Sequence, residues 1–468
     1  MSERGTMAER DSRIAGTFVP GSQAALDALM SELCGSVAAL RDALPGDPVA
    51  VVSPHAGYAY SGKLAAAAWS TTARLSPQRI AILSPAHHAF FDGIAVPTGH
   101  DAIRLLDRRH RIDTRAVQAL IRSGLAYGHD LAFESEHGID TQLPFARHFH
   151  PRVPVVPIVT GRGPTAQVAR LIDRLDRMDG QTLFVLSSDL SHFYAQSKAT
   201  SVDGQAARFL ETTQPSLITP IHACGAQALS GWLQSRAGRA ARALRLGMHT
   251  SYNTTNDAAR VVGYGAWALF APETDILDAA SRQTLLTVAR QALVSRLNKG
   301  LAPVVDAATF AVPLRTYAAT FVTLEQAGVL RGCVGSMVPH LSMVEDVAKN
   351  AVRAGFDDPR FPPISVTDLR ALSISVSVLT QPVALDVADE DALAAALVPG
   401  KSGAILMNGS QRGLFLPSVW SSLPDPADFV AGLERKAGLA GRPWDETMQV
   451  QVFRAEAFSE AAAVSEVA

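Results

Sequence analysis

Cysteine is scarce: Cys34, Cys224 and Cys333 are the three among 468 residues, and no CxxC pair occurs. An odd, sparse set gives no disulfide framework and suits a reducing compartment. The lack of paired cysteines argues against a zinc ribbon or a thioredoxin-type site. Excess charge is also small, at a formal −2, so nothing points to nucleic acid or an anionic membrane. No apolar run reaches the roughly 18 residues of a spanning helix. The opening MSERGTMAERDSR lacks the apolar centre of a secretion signal. These absences lead to the expectation of a cytoplasmic protein with no nucleic-acid or membrane partner. What remains is ordinary globular material, 47% apolar and 18% charged, enough for two or three domains of about 100–200 residues.

Residues 1–12 are expected to be disordered, and 13–22 to be an ordered entry segment. A helical apolar period runs over 23–44. After it, short β-type runs (49–52, 80–83, 94–96, 155–159, 183–186, 261–269) alternate with helical stretches (62–72, 113–123, 140–149, 165–177, 204–212, 225–236). Such alternation, with near-continuous apolar strands, argues for an α/β domain on a mainly parallel, buried sheet flanked by helices. Pro272 and the capping residues Thr274 and Asp275 mark a break, giving expected domains 13–271 and 272–468. The second reads as α+β, with a long helix over 276–298, helices near 341–354 and 427–437, and strands near 318–324, 373–379, 403–407, 414–417 and 450–454.

Eleven of the 13 histidines lie at or before position 222, several just after strand candidates. Ligands of open α/β sheets gather at that edge. His55 follows a strand and a Ser-Pro turn, and the His87-His88 pair repeats that design. Neighbouring loop residues face different ways, so one of the pair should face a site and the other support it. Glu134, His137 and Asp140 could serve as acid–base groups or as support for ligands, or simply open a solvated helix. Asp189 and His192 are three apart, close enough to pair on one helical turn or to be a plain N-cap. Cys224, before Gly225, is either a buried small hydrophobe or a thiolate ligand. Imidazole with thiolate suits iron, zinc or copper rather than magnesium or calcium.

Taken in order, AGTFVP (15–20), SPHAGYAYSG (53–62), LSPAHHAF (83–90), ESEHGIDTQLPF (134–145), SSDLSHF (187–193), ACG (223–225) and VVGYGAWALF (261–270) resemble the Memo family, AmmeMemoRadiSam system protein B. That family is similar in fold to class III extradiol dioxygenases of the LigB type, which hold non-haem Fe(II) with two histidines and a carboxylate. The resemblance implies metal ligands His55, His88 and Cys224, the cysteine standing where those enzymes have a carboxylate. It also implies His192 and Asp189 as catalytic groups, and His87, Glu134 and His137 around them. The second half resembles the Ammecr-type domain, AmmeMemoRadiSam system protein A. The residues that carry this are Phe321-Val-Thr-Leu, Leu330-Arg-Gly-Cys-Val-Gly-Ser336, Asp358-Pro-Arg-Phe-Pro-Pro363, Leu372-Ser-Ile-Ser-Val376 and Arg412-Gly-Leu-Phe-Leu-Pro-Ser-Val-Trp420. There Arg331, Cys333 and Arg412 form a candidate site, with Cys333 expected in a Gly-flanked turn, either as a buried cysteine between core elements, the preferred reading, or as a thiol whose ionisation nearby positive charge would ease.

The system's name implies a radical SAM protein as partner, since no CxxxCxxC motif lies in this chain. Three functions follow, in order of preference. The first is a mononuclear redox enzyme using Fe(II), with copper or zinc as other metals, on a small molecule or a peptide. The second is a non-catalytic module that keeps a dioxygenase-like pocket to bind a peptide or partner. The third is a hydrolase or transferase with Cys224 or Cys333 as nucleophile.

Overall fold

A computed structural model describes residues 8–460. The chain divides into two compact units, Met1–Asp278 and Ala279–Ala468. Among the described residues no helix is long and apolar enough to cross a membrane.

The first unit is built on a nine-stranded mixed sheet. Its centre is four parallel strands in the order Ala50–Ser53, Thr182–Ser187, Arg79–Pro85 and Val155–Thr160. Every residue in these four is buried, which is why they read as unbroken apolar runs rather than alternating ones. Helix Tyr58–Ser70 packs on Ala50–Ser53, and helix Ala226–Gln234 packs on Arg79–Pro85 and Thr182–Ser187. The sheet turns antiparallel toward its margins. Val261–Phe270 pairs antiparallel with Ala50–Ser53, and Ile94–Val96 with Val155–Thr160. His192–Tyr194 and Arg242–Thr250 both run antiparallel to Val261–Phe270. Arg242–Thr250 escapes the sequence pattern because arginines stand among its apolar residues, Arg242 buried and Arg245 half-buried.

The expected disorder over 1–12 needs correction at its C-terminal end; positions 1–7 lie outside the described residues. Ala8–Asp11 is a strand, paired parallel with His100–Leu105, which also pairs with Arg108–Arg111. This polar segment is held in place by long-range partners: Arg10 forms an ion pair with Asp140 that is buried on both sides.

The second unit contains two four-stranded antiparallel sheets. One orders Val329–Gly335, Thr320–Gln326, Leu372–Leu379 and Ala455–Ser459; the other orders Val383–Leu385, Gln449–Phe453, Gly403–Asn408 and Gln411–Phe415. Helices Ala279–Lys299 and Met343–Phe356 pack on each other, and the latter packs on the first sheet. Ser342 and Glu345 start Met343–Phe356 with a reciprocal capping box. The glycine-flanked segment around Cys333 is not a turn. It is the strand Val329–Gly335, with Cys333 opposite Thr323. Gly332 serves packing there: a Cβ would sit 2.1 Å from the Ala354 carbonyl oxygen of the covering helix.

Candidate metal centre

Three of the central parallel strands end at Ser53, Pro85 and Ser187. Two residues beyond each end stand His55, His87 and Asp189. The common exit geometry places all three at one edge of the sheet. One nitrogen each from His55, His87 and His137 lies within 4.8 Å of the others, an arrangement able to hold a metal ion.

The hydrogen bonds settle which nitrogens of His55 and His87 face the centre. Ser187 Oγ donates to the Gly138 carbonyl (2.5 Å), so it accepts from His55 Nδ1 (2.9 Å) and from Gln142 Nε2 (3.1 Å). His55 therefore carries its proton on Nδ1 and a lone pair on Nε2. Glu136 does the same for His87, since its Oε1 accepts from Nδ1 at 2.7 Å while its Oε2 accepts the His87 backbone N–H at 2.9 Å. Its Oε1 also accepts from the Gly138 N–H (2.8 Å) and Ser84 Oγ (3.3 Å). Gln142, fully buried, closes the frame through Trp69 Nε1 (2.8 Å) and the Pro54 carbonyl (3.0 Å). Gly138 is needed for this closeness: a Cβ would meet Ser84 Oγ at 2.2 Å.

Burial, and then the neighbouring imidazoles His87, His137 and His192, hold the His55 pKa well below its ordinary value. Burial and then His87 bring His137 down to about 4. At neutral pH both rings keep their lone pairs, so no proton has to leave them when a cation arrives. For Glu136 burial pushes the pKa up, but its hydrogen bonds to His87 and Gly138 outweigh this and hold the carboxyl low and ionised. Replacing Glu136 with Gln should therefore weaken metal binding about 10–100-fold by loosening His87. Competition against a chelator of known affinity measures this, and unchanged affinity would contradict the assignment.

Cys224 stands at the edge of the nitrogen group, its Sγ 3.2 Å from His55 Nε2. The Asp189 N–H donates to the sulfur at 3.2 Å. Burial, and then the charge of Asp189, push the thiol well up, so a metal would have to displace its proton. Asp189 accepts the His55 backbone N–H at 2.8 Å, and burial raises its carboxyl to about 7. It thus fixes the loop that carries His55. His192 donates from Nδ1 to the Leu190 carbonyl (2.8 Å), leaving Nε2 free, and its ring is close enough to His55 and His137 to depress both.

Three residues stand elsewhere than the resemblance implies. His88 is exposed and outside the nitrogen group, its ring centroid 6.4 Å from His87 and 5.9 Å from His137. The inward member of the pair is His87, because Glu136 grips both its backbone and its ring. Glu134, the expected carboxylate, is exposed; the one that grips His87 is Glu136, two residues further on in the ESEH motif. His137 moves from the periphery into the donor group, stacked on Phe18 at 4.5 Å.

The candidates in the second unit do not assemble as expected. Arg331 donates to the carbonyls of Pro362 (2.7 Å) and Pro363 (3.4 Å). Arg412 is exposed on a strand of the other sheet, its side chain making no hydrogen bond or ion pair among the described residues. Cys333 accepts from Thr323 Oγ1 at 3.3 Å, and burial raises its thiol despite the positive charge of Arg360 and Lys436. Of the two readings of Cys333 this agrees with the buried cysteine: desolvation of the thiolate outweighs the cations.

A family model described as Memo-like protein matches residues 10–268, and one described as AMMECR1 matches residues 286–458. A protein of Methanosarcina mazei is 30% identical over 188 residues, covering 40% of this chain and 94% of its own length. A protein of Thermococcus onnurineus is 40% identical over 149 residues, covering 30% of this chain and 71% of its own. Among solved structures, an uncharacterised protein of Pyrococcus horikoshii is similar at 34% identity and a TM-score of 0.36, over 38% of this chain and 91% of that one. An uncharacterised protein of Escherichia coli K12 is similar at 15% identity and a TM-score of 0.31, over 47% of this chain and 99% of that one.

Proposed function

The chain belongs to the Memo-like protein family and carries an AMMECR1 domain after the Memo-like one, and from that premise we propose that its first unit is a mononuclear metal-dependent redox enzyme. The observation that carries this reading is the convergence of three imidazole nitrogens within 4.8 Å, beside a cysteine sulfur 3.2 Å from His55 Nε2. In this reading His55, His87 and Cys224 hold the metal, with His137 as a further nitrogen donor. Nitrogen and sulfur donors suit iron, copper or zinc rather than magnesium or calcium, and of these the reading takes iron. The bound metal supplies one-electron chemistry and polarises an oxygen-bearing substrate.

The remaining residues act on position and protons. Ser187 and Glu136 keep the ligand tautomers, and Asp189 holds the His55 loop. His192, with Nε2 free and its pKa lowered by burial, is the acid–base group. The substrate is a small molecule or a peptide, and a radical SAM protein of the same system is the partner. Anaerobic titration with Fe(II), followed by visible spectroscopy after controlled oxidation, tests the reading. We expect about one equivalent bound and a thiolate charge-transfer band that Cys224→Ser abolishes. No binding at micromolar iron, copper or zinc would overturn it.

A second reading, a binding module without turnover, is favoured by two exposed aromatics in the segments that carry site residues: Phe193, beside His192, is 62% exposed, and Phe90, three positions after His87, 96%. Phe193 also has φ +63°, a strained conformation for a bulky residue. Under this reading His192→Ala leaves partner capture intact; under the enzymatic one it abolishes turnover while metal stays bound.

A further inference from the structure

A cavity of about 270 Å³ lies in the first unit between helix Gln23–Gly35, the paired strands His100–Leu105 and Arg108–Arg111, and helix Leu143–Phe149. None of the residues of the metal centre lines it. Its apolar wall comes from Leu26, Met30, Leu105 and Pro144. Its polar wall is cationic in character, with two guanidiniums, Arg108 and Arg147, and two imidazoles, His110 and His148. The one carboxylate is Asp27, and it is already engaged, accepting from Gln23 Nε2 at 2.7 Å and Arg108 Nη2 at 3.1 Å.

Arg147 is left over. It is half-buried and makes no ion pair among the described residues, the charge of Asp27 acting on it only from beyond pairing distance. One further donor of the lining is unsatisfied: Arg108 Nε is buried and makes no hydrogen bond, whereas the unpartnered Gln23 Oε1 is an acceptor and calls for a donor rather than an anion. Leaving a half-buried guanidinium and a buried N–H donor without partners is costly. A wall that does so inside a cavity is arranged for something that brings negative charge.

Burial, and then Arg147, depress His110 to about 4, and burial lowers His148. Near neutral pH the two rings add hydrogen-bonding capacity without charge. The lining then carries two positive charges against one negative, so a single anionic charge balances it. The apolar wall calls for a hydrocarbon body, and the volume, just below the roughly 300–1,000 Å³ of pockets for drug-sized ligands, calls for a short one.

We propose that this cavity is a binding site for a small organic monoanion, a carboxylate with a short apolar body, whose head pairs with Arg147 while its tail packs on Leu26, Met30 and Leu105. A planar guanidinium without a carboxylate partner matches a carboxylate in two parallel hydrogen bonds. The site stands independently of the metal reading.

Calorimetric titration of the full chain with hexanoate, hexylamine and inorganic phosphate tests it. Hexanoate is expected to bind at one site per chain, hexylamine not at all, and phosphate at least tenfold more weakly than hexanoate. Arg147→Gln should weaken hexanoate about tenfold or more, with the ligand-free unfolding midpoint unchanged. Arg108→Gln, which removes the second cation from another element, should weaken it as well and serves if Arg147→Gln folds poorly. The proposal is overturned by absence of hexanoate binding at millimolar concentration, by phosphate binding as tightly as hexanoate, or by unchanged affinity in a folded Arg147→Gln protein.

Discussion

Replacing His87 with alanine is expected to weaken metal binding by about 100-fold or more, while His88→Ala leaves it within about threefold. The two residues are adjacent, yet their surroundings differ completely. His87 has its backbone N–H and its Nδ1 on the two oxygens of Glu136, so Nε2 points its lone pair into the cluster with His55 and His137. His88 is exposed and its ring has no part in that cluster. Removing His87 deletes a donor and also leaves Glu136, almost fully buried, with its ring partner gone. Metal content of the two purified variants, measured by elemental analysis after anaerobic reconstitution, decides the matter. Loss of metal in His88→Ala with retention in His87→Ala would reverse the assignment.

Arg10→Ala is expected to destabilise the first unit by about 3–5 kcal/mol at neutral pH, the usual cost of stranding one partner of a buried ion pair. Asp140 is 1% exposed and Arg10 7%, so water cannot take over the role of the lost guanidinium. Burial already raises the Asp140 carboxyl against the pull of Arg10, and without Arg10 it rises further. An acid whose folded pKa lies above its unfolded value costs stability at pH above both and nothing below both. The penalty in Arg10→Ala should therefore shrink as pH falls toward the ordinary carboxylate range. Denaturant unfolding of both proteins at neutral and acidic pH measures this, and a penalty under about 1 kcal/mol at neutral pH would contradict it. The same substitution should loosen His137, because Asp140 ends the short helix His137–Asp140 on which that ring sits.

Local chemistry made much of the framework legible. The four central strands are apolar throughout because both faces are covered, and that pattern needs no partner to be read. The Ser-Pro exits before His55 and His87 marked both loops as candidates, since strand ends of an α/β sheet collect functional groups. Helix starts such as Asp113, whose side chain accepts the Ala116 N–H at 2.9 Å, declare themselves within four residues. Strands such as Ala8–Asp11 and Arg242–Thr250 were not legible, because polar residues in them are stabilised by partners remote in the chain.

The sequence by itself determined the two-part organisation, the apolar sheet, and which short segments carry histidine, carboxylate and cysteine. Only the tertiary structure decided which of those side chains meet. The choice between His87 and His88 rests on Glu136, 49 positions later, and the anchoring of the His137 helix rests on Arg10, 130 positions earlier than Asp140. The reason is physical: secondary structure follows periodicities set by near neighbours. Which way a loop imidazole turns, and whether a thiol such as Cys333 ionises, is set by hydrogen bonds and desolvation that distant parts of the chain impose.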